Sequence, residues 1–400
     1  MRFLVLVLLS LQGAWSAQAF VEPSVRPSPH ARAAFIALQT WYNKSSGIWD
    51  STGWWNAANC LTTVGNLAAI DPLVKLITKE VFSNTFVQGQ RYQLQMTKSI
   101  RNFTIETCYG DTCAGSPPSS LTKGFLNDYY DDEGWWALAW IQAYDITQEP
   151  QYLAVAIGIF EDMRRGSSPC GGIWWDKART YVNAIPNELF LSVAAHLANR
   201  STHKATREYY RKIAIAQWKW FQASGMINAE HLVNDGLTAD CRNNHGAIWS
   251  YNQGVVLGGL VELSIATQER KYLKAAKRTA EAAIEALSDS DGILHEACEP
   301  DCGADGSQFK GIFARNLQKL HQVEPKWLFA EFLARNAASI WKYDRNGRDQ
   351  MGLVWSGPSP GSVNASTHSS ALDALVAAVV AKRVKDPRSD GMVFFDASEL

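Results

Sequence analysis

The sequence predicts an all-α fold, an (α/α)6 barrel, on three observations. Strand signals are scarce, whereas apolar residues recur with the helical period along most of the chain. The helical segments form two alternating sets, one amphipathic with charged outer faces and one apolar on every side. The loops between them repeat a Gly-x-x-Trp-like theme. Wet helices alternating with dry ones fit an inner ring wrapped by an outer ring better than an irregular bundle or an open solenoid.

The wet set comprises residues 31–42, 85–102, 150–165, 203–223, 270–287 and 325–343, where Lys, Arg and Glu stand between apolar positions. The dry set comprises residues 61–77, 131–144, 187–198, 252–266, 309–320 and 369–381, rich in Ala, Gly and small apolar residues with few charges. A helix apolar all round is buried all round. Four loops precede inner helices: Gly47-Ile48-Trp49-Asp50, Gly172-Ile173-Trp174-Trp175-Asp176, Gly246-Ala247-Ile248-Trp249 and Gly352-Leu353-Val354-Trp355. On one end of a barrel they ring its mouth with aromatics. Aromatic rings offer apolar faces with polar edges, which suits the C–H faces and hydroxyl rims of sugars. Trp54, Trp55, Trp135, Trp136, Trp174, Trp175, Trp249 and Trp355 are therefore candidate sugar-binding residues. Plugging the barrel end as core is the competing role for any single one.

Composition narrows the function classes. The 400-residue chain is 46% hydrophobic, enough for a large core, and its net charge of −1 gives no general pull toward nucleic acid or anionic membrane. Arg2, the apolar run from Phe3 to Leu11 and Ala17-Gln18-Ala19 read as a secretory signal peptide over residues 1–19. Residues 20–400 read as a single catalytic domain. The apolar run is too short to span a bilayer, and the C-terminus carries no lipid-anchor signal. The expectation is a secreted, extracellular or cell-wall-associated monomer. Sequons at Asn43, Asn102, Asn199 and Asn364 agree with that route. So do the closely spaced pairs Cys108/Cys113 and Cys298/Cys302, which are disulfide candidates. The count of seven cysteines leaves one unpaired, and connectivity among Cys60, Cys170, Cys241 and the 298/302 pair stays open. No metal cluster, phosphate loop, cofactor motif or Ser-His-Asp set assembles.

The most specific stretch is Asn127-Asp128-Tyr129-Tyr130-Asp131-Asp132-Glu133-Gly134-Trp135-Trp136. Acids at a helix N-terminus are expected for capping alone. Here they head an inner helix, so they face the barrel mouth, and tryptophans follow at once. Glycosidic cleavage uses two carboxyls, about 5–5.5 Å apart in retaining enzymes and about 6.5–9.5 Å apart in inverting ones. Adjacent aspartates, with Cα atoms about 3.8 Å apart, can reach the shorter separation. Mutual repulsion raises one pKa, as an acid catalyst requires.

These residues resemble glycoside hydrolase family 76, the endo-α-1,6-mannanase family with an (α/α)6 barrel. The resemblance extends through Gly171-Gly172-Ile173-Trp174-Trp175, Trp249-Ser250-Tyr251-Asn252-Gln253-Gly254 and Phe309-Lys310-Gly311-Ile312-Phe313-Ala314-Arg315. It implies a retaining mechanism with Asp131 as nucleophile and Asp132 as general acid/base, acting on α-1,6-mannan or another mannose-containing glycan. Some fungal members resemble cell-wall transglycosylases acting on the mannose core of lipid-anchor glycans, so transfer is an alternative to hydrolysis. A non-catalytic mannan-binding protein is a third reading, opposed by the intact aspartate pair. Asp235, Tyr251, Asn252 and Arg315 are further candidate substrate contacts, with rival roles as a turn residue for Asp235, an N-cap for Asn252 and a structural ion pair for Arg315. His245 and His368 sit in the expected mouth-side region, where a lone histidine is ordinarily solvated.

Overall fold

A computed structural model describes residues 28–90, 96–101, 104–109, 124–358 and 362–384. In chain order the helices are α1 (Pro29–Gln39), α2 (Trp54–Ala68), α3 (Pro72–Gln88), α4 (Tyr130–Thr147), α5 (Pro150–Met163), α6 (Ala184–Arg200) and α7 (Lys204–Ala223). They continue as α8 (Ser250–Thr267), α9 (Lys271–Leu287), the single turn α10 (Gly303–Gly306), α11 (Phe309–Val323), α12 (Trp327–Tyr343) and α13 (Ala365–Ala381). Two antiparallel pairs accompany them: β1 (Tyr42–Asn43) with β2 (Ile48–Trp49), and the hairpin of β3 (Met96–Arg101) with β4 (Thr104–Tyr109).

The inner ring closes on itself. α2 packs on α4, α4 on α6, α6 on α8, α8 on α11, α11 on α13, and α13 returns to α2. Around it lie α1, α3, α5, α7, α9 and α12, completing the (α/α)6 barrel. Side-chain burial separates the rings as expected. In α9 the buried residues Tyr272, Leu273, Ala276, Thr279, Ala280 and Ala283 make one stripe. In α8 every residue from Ser250 to Val261 is buried. Small residues let the inner helices approach: a Cβ on Gly254 would stand 2.6 Å from the Phe313 backbone, and one on Gly311 2.5 Å from that of Ser370.

Two expected helices are redrawn. Residues 61–77 are not one inner helix; the inner helix is α2, and the chain breaks before α3. Asp71 accepts from the backbone N–H groups of Leu73 and Val74, and Pro72 opens α3 with its fixed φ. The expected outer helix at residues 85–102 is the last turn of α3 followed, beyond an undescribed stretch, by strand β3. α3 is the outer helix at that place. Among the described residues, no helix is long and apolar enough to cross a membrane. The expected signal peptide lies outside the described residues.

Disulfides join Cys170 to Cys241, 71 positions apart, and Cys298 to Cys302. The first ties the loop after α5 to the loop after α7. The Cys60 thiol is free and buried in α2, and burial pushes it up to about 12. Cys113 lies outside the described residues, so the expected 108/113 pair does too. His368 is not solvated: it is buried within α13, its Nε2 2.7 Å from the Ala34 carbonyl oxygen, and burial lowers it to about 4.

Candidate active site

The first turn of α4 carries Asp131, Asp132 and Glu133, all buried. Successive helical residues point about 100° apart, and the three acids go three ways. Asp131 lines a cleft of about 330 Å³ at the barrel mouth. Asp132 turns to the Lys98 ammonium of β3, 2.5 Å from its Oδ1, while the Asn127 amide donates to its Oδ2 at 2.8 Å. Glu133 faces outward, pairing with Lys177 at 2.7 Å and accepting from the Asn127 backbone. The helix start is fixed by the preceding loop, where the Tyr130 N–H donates to the Trp175 carbonyl at 2.9 Å.

Burial pushes Asp131 up to about 7; Lys98, whose Nζ is 3.9 Å from its Oδ2, opposes the rise and Asp132 adds to it. Its other oxygen, Oδ1, has no hydrogen-bond partner. Across the cleft, Asp235 accepts from the Tyr181 hydroxyl at 2.8 Å, and burial pushes it up to about 7 as well. Glu188, in the first turns of α6, is buried with neither oxygen bonded, and desolvation raises it well above the ordinary carboxylate range.

Aromatic rings floor the cleft. Tyr251 stacks on Phe309 at 3.7 Å; Trp135 lies between Tyr251 and Trp55, at 6.4 and 5.7 Å; Trp249 meets Phe309 edge-on. The Trp55 indole N–H donates to Asp305 Oδ1 at 2.9 Å, and Asp305 Oδ2 accepts from the Thr107 backbone of β4 at 3.0 Å. The hairpin thus forms a wall of the site. The Cys298–Cys302 loop forms another part of it.

Of the residues singled out from sequence, Asp131, Trp55, Trp135, Asp235, Trp249 and Tyr251 line this cleft together. The others stand elsewhere. Trp54 and Trp136 pack on each other behind the floor, at 5.4 Å, within the hydrophobic core. Trp174 is half-buried against the core, and Trp175 is buried beside Tyr129, where it holds the start of α4. Trp355 is buried beneath the Lys310 ammonium, 4.6 Å from its ring. Asn252 is not an N-cap: α8 starts at Ser250, and the Asn252 amide is buried without a hydrogen-bond partner. Arg315 takes the structural role, bonding Asp373 of α13 at 2.8 Å and Asn59 of α2, with its guanidinium 5.8 Å from the Trp135 ring centre. Sequence reasoning missed Lys98, Asp305, Phe309 and Glu188. The stacking surface of Phe309 had a signal, since it opens one of the motifs; the others had none. Among the described residues, no group of three or more His, Cys, Asp or Glu is set to hold a metal ion.

A putative mannan endo-1,6-alpha-mannosidase of Schizosaccharomyces pombe is 28% identical over 269 residues, 60% of this chain and 58% of the relative. The mannan endo-1,6-alpha-mannosidase DCW1 of Saccharomyces cerevisiae is 27% identical over 272 residues, 62% of this chain and 59% of the relative. The chain thus spans less than two thirds of the length of these curated relatives. Among solved structures, an alpha-1,6-mannanase of Salegentibacter sp. HEL1_6 superimposes with a TM-score of 0.71 at 20% identity, covering 88% of this chain and 98% of the other. That protein is an inactive variant with two consecutive aspartates changed to asparagine, in complex with alpha-1,6-mannotriose. Dfg5 from Chaetomium thermophilum, in complex with glucosamine, superimposes with a TM-score of 0.67 at 20% identity, covering 88% of each chain. The model of the family described as glycosyl hydrolase family 76 matches residues 31–390, and the chain belongs to that family.

Proposed function

We propose that the protein is a secreted glycoside hydrolase that cleaves α-1,6-mannosidic linkages by a retaining double displacement on Asp131 and Asp132. The observation that carries this reading is the aspartate pair heading α4, with Asp131 opening onto a cleft floored by Trp55, Trp135, Tyr251 and Phe309. Apolar faces of mannose rings stack on such a floor. The S. pombe and S. cerevisiae relatives are named for endo-1,6-alpha-mannosidase activity. The inactive Salegentibacter variant supports assigning the chemistry to two consecutive aspartates.

In this scheme the Asp131 carboxylate attacks the anomeric carbon while Asp132 gives its proton to the departing glycosidic oxygen. Asp132 then takes a proton from the incoming hydroxyl, which displaces Asp131 from the sugar. The scheme needs one proton on the pair, and an Asp131 titrating near neutrality beside Asp132 is compatible with that. Asp235, which lines the cleft and accepts from Tyr181, lies where a carboxyl can bond mannose hydroxyls. Transfer to a sugar acceptor differs only in which hydroxyl opens the covalent intermediate. Secretion is supported by the two disulfides, which persist in oxidising compartments.

The test is product analysis on linear α-1,6-mannan oligosaccharides beside an Asp131→Asn control. Shorter products from the wild type alone support hydrolysis, and longer ones transfer. An untouched substrate with folded protein overturns both.

A further inference from the structure

We propose that Lys98 is a positioning residue for the aspartate pair: its ammonium, brought in on the β3–β4 hairpin, decides which of the two carboxyls holds the pair's proton. This rests on the catalytic reading above. The side chain is 1% exposed, so this cation is almost wholly removed from water. A buried charge persists only beside its counter-charges, and here these are Asp132 at 2.5 Å and Asp131 at 3.9 Å.

Both Asp132 oxygens already accept from donors, Lys98 and Asn127, so the free oxygen of the pair is on Asp131. Asp131, with Oδ1 unpartnered, then carries the proton. The proposed chemistry needs the reverse, an ionised Asp131 and a protonated Asp132. Lys98 supplies the route: a shift of the ammonium from Asp132 toward Asp131, already 3.9 Å away, favours transfer of the proton to Asp132. The other groups around the ammonium are Asp305 on α10, the Tyr129 ring at 4.6 Å and the Trp175 ring at 5.8 Å. Around Asp131 the remaining titratable groups are Asp235 and Tyr251. None of these is a second cation, so the removal of Lys98 is uncompensated among the described residues.

The sign follows. A cation lowers the pKa of a nearby carboxyl, so its loss raises both members of the pair. In full-length Lys98→Met, both limbs of the kcat/KM profile on α-1,6-mannotetraose move to higher pH by about one unit or more. kcat falls at least about tenfold while KM changes little, and Lys98→Arg restores the limbs. If Lys98 served only to pin the hairpin, Lys98→Met would lose activity with its limbs unmoved; that result overturns the proposal, as does Lys98→Arg behaving like Lys98→Met. A second readout needs no turnover: the Asp131 side-chain carboxyl carbon, followed by NMR, titrates at higher pH in Lys98→Met than in wild type. If wild type cleaves no mannan, the functional reading fails, and the titration still decides the role of Lys98.

Discussion

Residue by residue, burial decides what each side chain can do. The Trp54-Trp55 and Trp135-Trp136 doublets show it: one member of each faces the cleft and the other the core, because helical neighbours diverge by about 100°. Arg315 shows it too: of the two roles open to it from sequence, its carboxylate and amide partners inside the inner ring give the structural one. Arg315→Ala strands Asp373 without its cation, so stability falls by about 3–5 kcal/mol. Urea denaturation measures the loss, and unchanged KM in the folded variant separates this role from substrate contact. Asn199 offers a second prediction. Its amide donates to the Glu262 carbonyl at 2.9 Å and carboxylate at 2.7 Å, leaving no free N–H for a glycan. Glycopeptide mapping will find that sequon empty; an occupied Asn199 refutes this packing. The candidate pair Asp131 and Asp132 was legible because it is contiguous in sequence. Lys98 meets Asp132 across 34 positions and Asp305 meets Trp55 across 250, separations at which only the folded chain supplies the signal.

At the scale of elements, most of the barrel was legible through periodicity, and its two errors have one cause. The apolar period runs through residues 61–77 without a pause, which hides a break written plainly in Asp71-Pro72. With the start of α3 merged into that inner segment, the period puts the next outer helix where β3 lies. There Thr97, Lys98, Ser99 and Ile100 pair across from Cys108, Thr107, Glu106 and Ile105, a two-residue period too short to outweigh its charged neighbours. The loops rely on cross-links that periodicity cannot see. Cys170–Cys241 closes a loop of 71 positions, so Cys170→Ser with Cys241→Ser lowers stability by about 2–4 kcal/mol. Equal denaturation midpoints for the variant and the oxidised parent would show that the bond constrains little.

For the whole molecule, the buried titratable groups set a pH window of stability. Burial raises Asp131 and Asp235 to about 7, and Glu133, Glu296 and Asp344 to about 8. The folded chain keeps these protons where the unfolded chain has released them, so stability declines as pH climbs from about 4 through 8. Burial lowers His196 to about 3 and His368 to about 4. The unfolded chain takes up these protons first, so these two groups oppose the five acids with a smaller contribution that is lost as pH falls from about 6.5 toward 4. The maximum lies in mildly acidic solution, and Asp131→Asn flattens the alkaline side. Denaturation midpoints across pH 4–9 test this, and a maximum above pH 8 contradicts it.

The ring closes where α13 meets α2, and α13 also receives α1 through the contact between His368 and Ala34. Such a wheel cannot be built up unit by unit like a stack of repeats. A growing chain that has reached residue 343 still lacks the helix that both its earliest segments require. Until residues 365–381 leave the ribosome, the flanks of α2 and α11 stay open, and these helices bring Trp55 and Phe309 to the site. Packing of the ring is therefore completed only by its last helix. A copy cut short before α13 is then an unfinished wheel, its α2 and α11 flanks uncovered and the Arg315 guanidinium deprived of Asp373.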